Sequence, residues 1–421
     1  MASEKITEKD VLKIAEDINK ENFSGLKGLS VGHAMYYIIL LKEVYGQAGI
    51  TFKSCVKQLL KITVLKYVDA QNNYKTANKA FLFSNSYWPR EDHKKLYDKV
   101  VALTINSTEF VHTRKISFRN LHNIFRIFQW YSIFNRYFTE NAWYYTFQLA
   151  FSFADFDFIR HKLENSKIKL LTVLCDVHCI DSLVVQYCNS VGIKTATLQH
   201  GNLAKGTGYS LSKSNYFLGY GQYTKELALE SGMGENHFVA VGMPQYIGKE
   251  INNSLIIHNT KKIGCVFCNY ETIEDDTRML NIVLDYAEKN DYEVCVKLHP
   301  ASPKNCYPDI NWKRVKEVYG KEINVYQFME KIDFATIGFS TVFIEYVLEL
   351  FPCFSFKCNN DKYEKITWNK FHDWETIEKC VQFFKTDKSG FEQKLKETRD
   401  YFTPSSDIAE NYKSFYSNFD E

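Results

Sequence analysis

The stretch from Leu170 to Leu198 leaves few choices of fold. Leu170–Leu174 is an apolar run of strand length, Ile180–Ser190 has the pattern of a helix that stops at Gly192, and Lys194–Leu198 is again a strand. Two strands joined through a helix with a glycine C-cap make a βαβ unit, and such strands lie parallel in one sheet. The same alternation continues on both sides. Upstream, Ala80–Phe83 reads as a strand, Ser84–Ser86 as a polar turn and Arg90–Val101 as a charged helix, with a second apolar run at Val100–Ile105. Residues 115–165 are aromatic and partly basic and read as helices. Downstream, Asn215–Leu218 and Phe238–Val241 read as short edge strands. After Gly242-Met243-Pro244 and the polar segment Lys249–Lys262, the alternation starts afresh. Ile263–Cys268, Glu293–Leu298, Phe334–Ile337 and Cys353–Phe356 are strands, with helices at Thr277–Lys289 and Val342–Glu349.

A chain of 421 residues fits two domains at roughly 100–200 residues each. The expected fold class is α/β: two Rossmann-like domains whose parallel sheets face an interdomain cleft, with extra N-terminal helices. The expected boundaries are a helical segment over 1–75, a first Rossmann-like domain over 76–248, a second over 249–390, and a helical C-terminal segment over 391–421. Within the first segment, Val11–Ile18 and Val56–Tyr67 show helical spacing.

Composition removes several function classes. Hydrophobic residues make up 45% of the chain, enough for sizeable cores. The net charge is +2, so no global field attracts nucleic acid, and an anionic ligand must be held locally. Aromatic residues reach 16%, which suits either an AT-rich coding sequence or a carbohydrate-binding surface. Met1–Asp10 is charged and has no apolar stretch, so no signal peptide is expected, and the eleven cysteines read as reduced, cytoplasmic thiols. Cys265 and Cys268 form a lone CxxC on a strand, where residues three apart point to opposite faces and cannot share a metal. Asn141–Ala154 is shorter than the roughly 20 residues of a membrane-spanning helix.

Open parallel sheets bind ligands at the carboxyl ends of their strands. Three polar motifs fall at such ends. Gln199-His200-Gly201-Asn202 closes the strand Lys194–Leu198, and a histidine there, beside a glycine that lets a ligand approach, suits a general base. Lys297-Leu298-His299-Pro300 closes another; the proline forces the backbone of His299 out of the helical region and turns the chain. Gly338-Phe339-Ser340-Thr341 closes a third, with Ser340 at the start of a helix whose N–H groups and dipole favour an anion. Thr341 and Glu345, four apart, share a helix face, which lets Glu345 accept from ribose or sugar hydroxyls past the phosphate. Asp176 and His178 follow Leu170–Leu174, and Asp176 is a candidate acceptor-side base. Asn269 and Lys297 are candidates for the donor phosphates, as is Arg278.

Gly338-Phe339-Ser340-Thr341 followed by Phe351-Pro352, downstream of His299-Pro300, His200-Gly201 and the Gly242-Met243-Pro244 crossover, resembles bacterial GT-B transferases of surface-polysaccharide assembly. The capsule polysialyltransferases and the teichoic-acid glycerophosphotransferases, which use CDP-glycerol, are the nearest families by these motifs. The resemblance covers roughly residues 170–356. It implies that His200 is the base or lies beside the reacting centre, that His299 and Pro300 contact the donor nucleotide, and that Ser340 and Thr341 hold phosphate. Gln199, Gly201 and Asn202 would then lie on the acceptor side. Two departures matter. The glycerophosphotransferases usually carry Trp-His-Gly-Thr where this chain has Gln199-His200-Gly201-Asn202, and an Asp before the serine motif where it has Gly338-Phe339. A sugar is therefore favoured over glycerol phosphate as the transferred group.

The expected function is transfer of a sugar from a nucleotide-activated donor, a CMP-sugar ahead of UDP or GDP, to a growing capsule, lipopolysaccharide or other surface glycan. No Asp-x-Asp metal motif is read in the sequence, so the transfer is expected to be metal-independent, with the nucleotide-sugar as substrate and no cofactor. The alternatives are a polyol-phosphate transferase using a CDP-polyol, a UDP-sugar 2-epimerase on the same architecture, and a non-catalytic interaction protein with a decayed transferase fold. Phe118–Phe138, where Arg119, Arg126 and Arg136 lie among aromatic residues, suggests peripheral contact with the inner membrane face and a lipid-linked acceptor.

Overall fold

A computed structural model describes residues 6–44, 65–69, 81–84, 91–104, 107–109, 112–116, 123–164, 167–201, 203, 211–268, 272–300, 302–358, 361, 363–404 and 407–419. The N-terminal helices are α1 (Glu8–Ile18) and α2 (Val31–Glu43). Thr7 and Asp10 form a reciprocal capping box that satisfies the first amides of α1. A two-stranded antiparallel pair joins β1 (Leu65–Asp69) to β4 (His112–Ile116).

The first large sheet has six strands, all parallel, in the order β3-β2-β5-β6-β7-β8. They are β2 (Phe81–Ser84), β3 (Ser107–Glu109), β5 (Leu170–Val173), β6 (Lys194–Leu198), β7 (Tyr216–Gly219) and β8 (Phe238–Ala240). Its helices are α3 (Glu91–Val101), α4 (Asn123–Tyr137), α5 (Ala142–Leu163), α6 (Cys179–Ser190) and α7 (Gln222–Glu230). The alternation of β5 shows how the layers form. Leu171 and Val173 point into a core shared with α1, α2, α4, α5 and α6. Leu170 and Leu174 point the other way, into the core that continues through the second domain. Residues 6–44 thus pack on one face of the first sheet.

The second sheet is also six-stranded and parallel, in the order β11-β10-β9-β12-β13-β14. Its strands are β9 (Lys262–Val266), β10 (Glu293–Lys297), β11 (Glu317–Tyr319), β12 (Phe334–Ile337), β13 (Cys353–Phe356) and β14 (Lys370–Phe371). Its helices are α8 (Ile273–Asn290), α9 (Val325–Met329), α10 (Val342–Leu348) and α11 (Trp374–Thr386). The chain then returns. In α12 (Lys388–Phe402), Phe402 packs on Tyr223 with ring centroids 4.9 Å apart. In α13 (Ile408–Ser417), Tyr416 meets the Thr172 hydroxyl of β5 at 3.1 Å, on the face opposite α6. The outward crossover passes through Gly242, which has φ +93° and whose would-be Cβ lies 2.8 Å from Ile408. Any other residue there would be strained in its backbone and would have to displace Ile408.

Two sequence expectations fail locally. Val100 and Val101 are the apolar end of α3, and the strand expected over Val100–Ile105 is instead β3, at Ser107–Glu109. A short apolar run does not distinguish a buried helix end from a strand. Of Val56–Tyr67, residues 56–64 lie outside the described residues, and Leu65–Tyr67 belong to β1, paired with Arg114–Ile116, rather than to a helix. No described helix is long and apolar enough to cross a membrane.

Candidate functional site

The first-domain side is built at the ends of β5, β6 and β7. Leu198 ends β6, and the buried Gln199 that follows is turned inward. Its Oε1 accepts from the Tyr220 amide at 2.8 Å and its Nε2 donates to the Gly201 carbonyl at 2.8 Å. Gln199 therefore joins the ends of β6 and β7, and the structure corrects its expected acceptor contact to a clamp. The next residue, His200, is half-buried, with Nδ1 2.9 Å from the Leu174 carbonyl at the end of β5. A carbonyl can only accept, so Nδ1 carries a proton, and in the neutral ring the lone pair is on Nε2. That is the tautomer a base requires. Gly201 is half-buried beside it, and Asn202 lies outside the described residues.

Asp176 does not have the surroundings of a base. It is 1% exposed, and its Oδ2 accepts from Ser212 Oγ at 2.6 Å, Lys213 N at 2.8 Å, Ser214 N at 2.9 Å and Ser214 Oγ at 2.9 Å. This carboxylate anchors the strand leading into β7. His178 forms the N-cap position of α6, and burial holds its pKa down at about 3. Asp181, in the first turn of α6, was not singled out from sequence. It is fully buried close to the amides of Leu174 and Cys175, without a well-aligned hydrogen bond to either oxygen. Burial drives its pKa well above the usual carboxylate range, and Asp176 adds to the shift.

The second-domain side is built at the ends of β10, β9 and β12, which are neighbours in that order. At about 4.8 Å per strand, β10 and β12, which lead to His299 and Ser340, run roughly 10 Å apart on either side of β9. His299 is half-buried, its carbonyl accepts from Ser302 N at 3.0 Å, and Pro300 at the turn is exposed. Lys297 is 5% exposed, and its ammonium donates to the carbonyls of Leu298 at 3.1 Å and Gly320 at 2.6 Å. It ties β10 to the turn after β11, and burial lowers its pKa. The expected phosphate contact of Lys297 is corrected to this structural role. Arg278 is paired with Asp275 at 3.2 Å.

Ser340 shows the local geometry its sequence suggests: Oγ accepts from Val342 N at 3.3 Å as α10 begins. Thr341 occupies the N-cap position and is half-buried. Glu345 accepts from the Tyr326 hydroxyl and faces Lys249, and burial pushes its pKa up. It lies among residues of the domain crossover: the Tyr246 hydroxyl donates to the Glu345 carbonyl at 3.3 Å, and Lys249 stands over the rings of Tyr246 and Tyr326 at 4.9 and 4.7 Å. Asn269 lies outside the described residues.

The two sides share one boundary. The Ser340 carbonyl accepts from the Tyr363 hydroxyl at 2.6 Å, and the Tyr363 ring lies 6.4 Å from that of Tyr223, just past the end of β7. Tyr220, whose amide is held by Gln199, has its hydroxyl against Gln245 and feels the charge of Glu345. The turn carrying His200 and the turn carrying Ser340 are therefore linked through Tyr220, Tyr223 and Tyr363. None of the three tyrosines carries a sequence signal, because each meets its partner across the domain junction. The chain also contains an Asp-x-Asp triplet that sequence reading passed over, Asp155-Phe156-Asp157, inside α5. Residues two apart on a helix face nearly opposite directions. Asp157 is paired with Arg160 at 2.7 Å.

With this architecture in view, a putative UDP-N-acetylglucosamine 2-epimerase from Listeria monocytogenes superposes with a TM-score of 0.51 at 11% identity, covering 81% of this chain and 97% of that one. The chain has a GT-B-like fold. The lipopolysaccharide outer core galactosyltransferase WaaB is similar at TM-score 0.49 and 12% identity, over 80% of this chain and 99% of its own. The wall teichoic acid polymerase TagF is similar at TM-score 0.47 and 10% identity, over 92% and 95%. No family model and no curated protein sequence matches the chain.

Proposed function

We propose that the chain is a glycosyltransferase that moves a sugar from a nucleotide-activated donor, a CMP-sugar ahead of UDP or GDP donors, to a growing surface glycan. The observation that carries this reading is the tautomer of His200. Its Nδ1–H is committed to the Leu174 carbonyl, which in the neutral ring puts the lone pair on Nε2 at the carboxyl end of the first sheet. A hydroxyl acceptor is a weak nucleophile until a base takes its proton, and a positioned imidazole contributes about 100- to 10,000-fold. In the proposed reaction, Nε2 of His200 removes the acceptor proton as the hydroxyl oxygen bonds to the anomeric carbon and the donor C–O bond breaks. The electron pair of that bond leaves on the nucleotide phosphate. Ser340, Thr341 and the start of α10 receive this charge with His299, through fixed dipoles and without a metal.

On this reading residues 76–248 hold the acceptor and 249–390 the donor. Work at the cytoplasmic membrane face is supported by exposed aromatic residues: Phe125 and Phe128 on α4 are 81% and 60% exposed, and Tyr131 of the same helix stacks on Trp143 at 4.1 Å. A UDP-sugar 2-epimerase is the second reading. It is favoured by Asp276, a buried carboxyl at the β9 end whose pKa burial raises to about 7, a value suited to proton transfer.

Thermal-shift measurement against CMP, CDP, UDP and GDP tests nucleotide binding. A ligand at 100 times its dissociation constant adds about 2.7 kcal/mol of stability. Product analysis with nucleotide-sugars then separates transfer from epimerisation: a C2 epimer formed without an acceptor overturns the transferase reading.

A further inference from the structure

Glu226 and Glu230 lie one turn apart on α7, so their carboxylates share a face and repel each other. The lysine of that helix, Lys225, turns away to Glu235 at 3.5 Å. The cation between the two carboxylates comes from the other domain. Lys365 Nζ lies 2.7 Å from Glu226 Oε2 and 2.7 Å from Glu230 Oε1. Glu226 is held from two further sides, by the Tyr401 hydroxyl of α12 and by Gln222 Nε2 at 3.1 Å.

The segment that carries Lys365 also carries Tyr363, which reaches the other way. Its hydroxyl donates to the Ser340 carbonyl at 2.6 Å, and its ring packs on Phe343 of α10 with centroids 4.5 Å apart. Lys370 on β14 braces the segment, paired with Asp361 and donating to the Tyr363 carbonyl at 2.8 Å. At the other end of the bridge, α7 starts beside the first-domain site. Tyr220, whose amide is held by Gln199, and Gly221 lead straight into the helix, and Gln199 is the neighbour of His200. A Cβ on Gly221 would lie 2.5 Å from the Phe402 carbonyl oxygen, so the helix start is pressed against the end of α12.

We propose that Lys365 is a positioning residue for sugar transfer: by bridging Glu226 and Glu230 it fixes the Ser340 turn, and the donor held there, relative to His200. The inference rests on the donor and base assignments of the proposed function. Lys365 acts through Tyr363 on one side and through α7 on the other. Without the bridge each domain keeps its own binding groups, but their separation is no longer fixed. A misplacement of about 1 Å between reacting groups costs about 100-fold in rate. The signature of the role is therefore lost turnover at unchanged donor affinity. Lys365 is half-buried and Glu230 exposed, so the bridge adds little to overall stability.

The test compares the full chain with Lys365→Met, which keeps the apolar stem, with Lys365→Arg, and with Glu226→Gln combined with Glu230→Gln. Calorimetry gives the dissociation constants of UDP-glucose and CMP-N-acetylneuraminate. The release of UDP or CMP, with water in place of the acceptor hydroxyl, gives the rate. Lys365→Met and the paired glutamine variant are each expected to lose at least about tenfold in rate, with dissociation constants within about twofold of wild type. Lys365→Arg can span both carboxylates and is expected to keep the rate. All three changes together are expected to be no slower than Lys365→Met, since each removes the same bridge. An unchanged rate in Lys365→Met, or losses that multiply in the combined variant, overturn the proposal and leave the donor reading intact. So does an equal loss of affinity and rate, which makes Lys365 part of the donor site. Hydrogen exchange reads the coupling without turnover. Either nucleotide-sugar is expected to slow amide exchange over Tyr223–Glu230 in the wild type and not in Lys365→Met, and equal protection in both overturns the proposal. A wild type that binds neither probe overturns the donor reading and the inference with it.

Discussion

Asp176 and His200 are both polar groups at strand ends of the first sheet, and the structure separates their roles in a way that stability and turnover can test. Asp176→Ala would leave two amides, Lys213 N and Ser214 N, without their acceptor. Ser214 Oγ keeps its contact with Thr197 Oγ1 at 2.6 Å, so the hydroxyl suffers less. An orphaned buried donor costs about 1–3 kcal/mol, and removing one partner of a buried charged network costs about 3–5 kcal/mol. The expected loss for Asp176→Ala is therefore about 3–5 kcal/mol. Asp176→Asn keeps one oxygen for the same donors, but a neutral acceptor is roughly half as strong, so about 1–2 kcal/mol is expected. Urea unfolding measures both, as a lower midpoint. Turnover per folded molecule of Asp176→Asn should stay within a few-fold of wild type. An unchanged midpoint combined with a turnover loss of about 100-fold or more would refute the anchoring role and make Asp176 the base.

Ser340→Ala combined with Thr341→Ala should weaken donor binding by about 1–3 kcal/mol in calorimetry, since each hydroxyl is assigned to a charged ligand; unchanged affinity removes them from the phosphate site. Phe125→Ser with Phe128→Ser should abolish sedimentation with anionic liposomes at low salt without changing the unfolding midpoint, because both rings are exposed. If the wild type itself fails to sediment, membrane contact through α4 is wrong.

Most of the fold was readable because a parallel sheet buried on both faces produces continuous apolar runs. Leu170–Val173, Lys194–Leu198, Lys262–Val266, Glu293–Lys297, Phe334–Ile337 and Cys353–Phe356 all stand out from their helices this way. Three of the four edge strands were not readable; the fourth, β8, reads as an edge strand at Phe238–Val241. β11 and β14 have three and two residues, too few for a pattern, and the apolar end of α3 reads as a strand in place of β3. At the site, glycine and proline marked where the chain turns, so His200, His299 and Ser340 could be placed at strand ends. The surroundings of a polar side chain carry no such mark. Gln199, Asp176 and Lys297 stand out in the sequence as polar residues at strand ends, yet in the structure all three are tied to backbone groups. Asp276 carries no such mark either: the helix reads from Thr277 in the sequence, and the acidic run Glu274-Asp275-Asp276 before it is the first turn of α8 in the structure.

The central claim is that His200 takes the acceptor proton through Nε2. Steady-state turnover and nucleotide dissociation constants of His200→Ala, measured beside His299→Ala, test it most directly. The account predicts that His200→Ala loses about 100- to 10,000-fold in turnover with nucleotide affinity intact, while His299→Ala loses affinity. Near-wild-type turnover in His200→Ala would contradict it.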